Sequence, residues 1–254
     1  MTHSPRILMV VTSHGRMGQG QIGEGEDAHP TGLWFEELST PYFVFRDAGA
    51  AVTLASIRGG KPPIDPSSLK ARGENPDSVE RFLADEGAMA ALEKTSPLEG
   101  LEAADWDAVF LPGGHGTMWD LPESTTLADL LGQAWAEGRV VAAVCHGPAG
   151  LVTARDEAGE SLVKGRRVTG FSNGEEAAVG LTGQVPFLLE DRLRALGGRY
   201  ESAPDFQPHA LADGRLVTGQ NPASSGETAR LTLAALGLGL GRDDRPVLDG
   251  RAGR

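Results

Sequence analysis

Short apolar runs recur along the chain, separated by stretches with helical spacing. Arg6–Thr12, Ala51–Ile57, Trp106–Leu111, Arg139–Val144, Arg166–Thr169 and Leu216–Thr218 are such runs, rich in β-branched residues. An uninterrupted apolar run of this length, without polar alternation, predicts a strand buried on both faces, as in a parallel sheet. Between the runs, Gly32–Ala48 brings Leu33, Phe35, Leu38, Tyr42 and Phe45 to one side of a helix, with Pro41 expected to kink it. Leu127–Trp135, Val185–Leu196 and Ser224–Leu236 also carry helical spacing, and Gly197-Gly198 supplies a C-cap signal to the second of these. Strands alternating with helices predict βαβ units: an α/β, mostly parallel sheet with helices on both faces.

Some segments break the alternation. Residues 13–31 are glycine-rich and poor in apolar side chains, which predicts a loop or lid. Residues 59–99 begin with Gly, Pro and charge and continue into a helix-like Ser78–Lys94, read as an insertion or cap. We assign residues 1–240 to one domain and 241–254 to a polar tail.

Composition narrows the function classes. The formal net charge of −12, with no basic stripe, argues against nucleic acid or an anionic membrane as partner. No run reaches the roughly 18 apolar residues of a spanning helix, and the start lacks a signal-peptide core, so a cytoplasmic location is expected. A single cysteine, Cys145, excludes an internal disulfide framework.

Cys145 stands in Ala143-Val144-Cys145-His146-Gly147-Pro148, directly after an apolar strand and before a Gly-Pro helix start. This is the form of a nucleophile elbow, where a sharp turn lifts the reactive atom above the sheet. A helix N-terminus aimed at the sulfur would favour thiolate. The rule that sites lie at the carboxyl ends of parallel strands gathers Gly113-Gly114, Cys145-His146 and residues 171–176 at one crevice. There His146 offers an imidazole as acid or base, and the backbone N–H groups of Gly114 and His146 are candidate oxyanion donors. His115 is read as lining the crevice, because no second metal ligand stands near it in sequence. Of the carboxylates, Glu37 within Glu36-Glu37 and Glu176 within Glu175-Glu176 are compatible with ordinary helix positions as well as with catalysis.

Taken together, Gly32-x4-Glu37-x3-Pro41, Pro112-Gly-Gly-His-Gly-Thr117, Ala143-Val-Cys-His-Gly-Pro148, Thr169-Gly-Phe-Ser-Asn173 and Val217-Thr-Gly-Gln-Asn-Pro-Ala-Ser224 resemble the ThiJ/PfpI superfamily. The likeness is strongest to its glutathione-independent glyoxalase III and heat-shock chaperone branch. It implies a flavodoxin-like doubly wound fold and a lyase of the hydro-lyase class with a Cys-His-Glu site. Cys145 would be the nucleophile, His146 the acid/base, and Glu176 the third member, with Glu175 one residue away as an alternative. Glu37 would contact the thiol, which is compatible with thiolate only if Glu37 keeps a proton. The resemblance further implies a methylglyoxal-type 2-oxoaldehyde converted to a 2-hydroxy acid such as lactate, no cofactor or metal, and a homodimer. A holdase chaperone with a redox-sensing cysteine, or a cysteine hydrolase or deglycase, is the alternative reading.

Overall fold

The computed structural model describes residues 4–18 and 29–238. Most of the glycine-rich loop and the whole polar tail therefore lie outside the described residues. A seven-stranded sheet runs through the molecule in the order Ala210–Asp213, Leu216–Gly219, Val140–Val144, Ala108–Leu111, Arg6–Val11, Ala51–Ser56, Ser96–Pro97. Its pairings are parallel, except where Ala210–Asp213 joins Leu216–Gly219 as an antiparallel edge.

The apolar runs are buried on both faces because each strand feeds two cores. Leu8, Val10, Val109, Leu111, Val141 and Ala143 pack with Leu127, Leu131 and Leu193 on one side. Ile7, Met9, Val11, Phe110, Ala142 and Val144 pack with Phe35, Leu38, Phe45 and Leu233 on the other. This is the mostly parallel, doubly wound, flavodoxin-like α/β architecture that the alternation and the resemblance predict. Glu37 stands on Phe35–Asp47, in the layer behind the second core, and that helix runs unbroken through Pro41.

Local departures have physical causes. Ser78–Lys94 is two helices, Asp77–Ala84 and Glu86–Glu93, because the Asp85 side chain accepts from the Ala88 N–H and starts a new helix. Arg167–Val168 leaves the main sheet and pairs with Arg199–Tyr200 instead. The helix expected over 185–196 is shorter, Leu189–Ala195, and closes on Gly197 at φ 86° as expected. The edge strands Ser96–Pro97 and Ala210–Asp213 carry too little apolar signal to be read from sequence.

Candidate active site

Two strands deliver the core of the site from their carboxyl ends. Val140–Val144 ends in Cys145, whose backbone sits at φ 59°, the left-handed region that L-residues avoid at a cost of about 1–3 kcal/mol. Two hydrogen bonds hold this elbow. The Cys145 N–H donates to Gly219 O (2.9 Å), and the Phe171 N–H donates to Cys145 O (2.9 Å). Ala108–Leu111 ends in Pro112-Gly113-Gly114-His115. Gly113 must lack a side chain, since a Cβ there would lie 2.5 Å from Glu37 Oε2 and 2.7 Å from His146 N. Gly114 adopts φ 96° with Gly32 O pressed against it.

The imidazoles of His115 and His146 converge on a single carboxylate. His115 Nε2 lies 2.9 Å from Glu176 Oε1, and His146 Nε2 lies 2.8 Å from Glu176 Oε2. The two rings are tilted at 42° with centroids 4.0 Å apart, and Phe171 covers His146 at 4.4 Å. Glu176 is placed by the first turn of Asn173–Ala178, which the Ser172–Glu175 capping box starts. Glu175 is equally buried but points elsewhere, accepting from the Phe206 N–H and the Asn221 side-chain amide. The geometry thus separates two carboxylates that sequence alone could not.

This arrangement corrects the expected Cys-His-Glu lyase site. The buried acid/base group is His115–His146–Glu176, a pair of histidines sharing one carboxylate, and Cys145 is not among its donor atoms. The thiol is a neighbour of that cluster, with Sγ 3.3 Å from His146 Nδ1 on the opposite edge of the ring. His115, read from sequence as crevice lining, is a full member. No local signal announces it, because Glu176 reaches it from 61 residues away.

The electrostatics correct the expected resting thiolate as well. Burial raises the Cys145 thiol well above its ordinary value, and Glu37, when ionised, and Glu175 push it further in the same direction. The segment after the elbow is only a 3-10 turn, Gly147–Leu151, with no extended dipole to oppose them. Burial also raises Glu37 well above the carboxylate range. Glu37 Oε2 accepts from the Gly113 N–H (2.8 Å), while Oε1 is buried with no nitrogen or oxygen partner beside the thiol. A proton on Oε1 fits that setting. Burial lowers His146 to about 4, so the ring is neutral at physiological pH. Burial alone would raise Glu176, but hydrogen bonds from both imidazoles hold it down at about 2. A carboxylate accepting at Nε2 fixes the His146 proton there and leaves Nδ1 bare toward the sulfur.

The span that holds these residues resembles known proteins. The DJ-1/PfpI family profile matches residues 34–235, which span Glu37, His115, Cys145, His146 and Glu176. The glutathione-independent glyoxalase hsp3101 of Schizosaccharomyces pombe is 36% identical over 220 residues, covering 82% of this chain and 88% of that protein. Among solved structures, the rapid encystment protein of Francisella tularensis superposes with a TM-score of 0.84 at 36% identity, covering 91% of this chain and 99% of that one. Glyoxalase III of Candida albicans superposes with a TM-score of 0.80 at 30% identity, covering 91% and 97%. With its sheet, elbow and matched segment in agreement, the chain belongs to the DJ-1/PfpI family, in the branch that holds the glutathione-independent glyoxalases.

Proposed function

We propose that this protein is a glutathione-independent glyoxalase, converting methylglyoxal-type 2-oxoaldehydes to 2-hydroxy acids with Cys145 as nucleophile. The observation that carries the reading is the buried His115–His146–Glu176 acid/base cluster, with the Cys145 thiol beside it at 3.3 Å from His146 Nδ1. His146 Nδ1 accepts the thiol proton as sulfur adds to the aldehyde carbon, and the imidazolium that forms is stabilised by Glu176. The backbone N–H groups of Gly114 and His146 would serve as oxyanion donors to the new alkoxide. Gly113 cannot serve, because its N–H is spent on Glu37.

A base then removes the hydrogen on the former aldehyde carbon, and an acid delivers a proton to the adjacent carbonyl carbon. The product of this internal transfer is a thioester of the 2-hydroxy acid, with no net oxidation. Water hydrolyses it, freeing the acid and restoring the thiol. The His115–His146–Glu176 cluster supplies the proton positions on one side of the sulfur, and protonated Glu37 supplies one on the other. Relatives named as glutathione-independent glyoxalases support the substrate class.

The test is direct. Purified protein with methylglyoxal should yield lactate without glutathione, and Cys145→Ala should abolish it. Absence of lactate from the intact protein would refute the reading. Among the described residues no helix is long and apolar enough to cross a membrane. We further propose a homodimer, which light scattering on the purified chain would check.

A further inference from the structure

We propose that His115, His146 and Glu176 also form a binding site for one divalent transition ion of the zinc class, whose occupation silences the acid/base cluster. The donor atoms of these three residues all lie within 4.8 Å of one another, and all three side chains are buried. Zinc bonds to imidazole nitrogen and carboxylate oxygen are about 2.0–2.2 Å, which places ligand atoms of one ion about 3 Å apart. The observed Nε2–O separations of 2.9 and 2.8 Å are already close to that spacing. Little movement is needed to admit an ion between the two rings and a chelating carboxylate.

The set is also held in place before any ion arrives. His146 is fixed by the elbow, His115 by the Pro112-Gly113-Gly114 turn, and Glu176 by a capped helix start. Phe171 packs against both rings, at 4.4 Å from His146 and 6.0 Å from His115. Such support is what makes a ligand set bind tightly. Charge points the same way. Glu176 is met by two imidazoles and, among the described residues, by no Lys or Arg ion pair. A divalent cation would therefore find a carboxylate without a cationic partner. Two imidazoles with one carboxylate select zinc, copper, nickel or cobalt over magnesium and calcium, which take oxygen ligands. Access is provided by a cavity of about 540 Å³ that His115 lines together with Trp34, Asp65 and Gln184.

The consequence for catalysis follows from the ring edges. Both imidazoles would ligate through the Nε2 lone pair, so each neutral ring would carry its one proton on Nδ1. The thiol faces His146 Nδ1 and is not a ligand. Once Nδ1 carries the proton, it can no longer accept one from sulfur.

The experiment uses full-length protein freed of metal by a chelator and dialysed, then titrated with Zn²⁺ by calorimetry, with Mg²⁺ as control. One Zn²⁺ per chain and no Mg²⁺ binding are expected. His115→Ala, checked for a cooperative melt, should weaken binding by about 100-fold or more. His115→Asp, which restores a donor, should recover part of it. Cys145→Ala should bind as wild type does. Loss of binding in Cys145→Ala, or unchanged binding in His115→Ala, would overturn the site. Stoichiometric Zn²⁺ should abolish methylglyoxal turnover, and chelator should restore it. Turnover that is unchanged or raised would overturn the silencing role. Calorimetry needs no substrate, so failure of the glyoxalase reading would be seen separately.

Discussion

Glu176→Gln isolates what the shared carboxylate does. The side chain keeps its shape, but one oxygen becomes an NH₂ group. In the protein, both oxygens accept from imidazole nitrogens, at 2.9 Å from His115 and 2.8 Å from His146. Glutamine can accept from only one ring, so the other must turn its Nε2 lone pair to the amide. Only the orientation that turns the amide oxygen toward His146 keeps that ring's proton on Nε2. The main loss comes when His146 takes the thiol proton. The resulting imidazolium faces a carboxylate at 2.8 Å in wild type and a neutral amide in the variant. Hydrogen bonds to a charged group contribute about 1.5–3 kcal/mol. At about 1.4 kcal/mol per decade, that is a fall in kcat of about 10- to 100-fold, with KM little changed. Steady-state lactate formation by chelator-treated protein measures it, and nitrogen NMR of the histidines should show one ring changing tautomer. Turnover within about 2-fold of wild type would refute the role given to Glu176.

Glu37→Gln tests the protonated carboxyl. A group whose folded pKa is raised contributes stability below its unfolded value near 4.5 and loses it as pH rises. Urea denaturation should therefore show Glu37→Gln gaining on wild type as pH climbs above 4.5, and a gap independent of pH would contradict this. Because burial above all raises the Cys145 thiol, its alkylation by iodoacetamide should be slower at neutral pH than that of a free thiol, with the rate still climbing above pH 9.0. Rapid labelling on a plateau at neutral pH would show a resting thiolate. Phe82 is fully buried and packs edge-on against Phe35, Tyr42 and Phe43, so Phe82→Ala should cost about 3–5 kcal/mol in chemical denaturation. A loss below about 1 kcal/mol would show that the helix Asp77–Ala84 contributes little to that core.

Much of the scaffold was legible because its signals are local. Val140–Val144 and residues 7–11 are apolar throughout, and only a strand covered on both faces tolerates that. The elbow was legible too, since a lone cysteine between a strand and Gly-Pro has few structural explanations. The two-residue strand Ser96–Pro97 and the edge Ala210–Asp213 were not, because pairing with a neighbour, not composition, makes them strands. Asp85 was a legible cap signal inside Ser78–Lys94, yet the helical spacing on either side masked it.

At the site, the sequence by itself determined which groups are present and where the strands end: Cys145, His146, Gly114 and His115 at carboxyl termini, and Glu37 and Glu176 on helices. Only the tertiary structure decided which of them meet. It chose Glu176 over Glu175, because one turn of helix points adjacent side chains in different directions. It made His115 the second imidazole, through a contact spanning 61 residues. It also replaced the thiolate suggested by an elbow motif with a buried thiol beside a raised carboxyl. Charge states depend on burial and on neighbours brought together from distant segments, and neither is a local property of the chain.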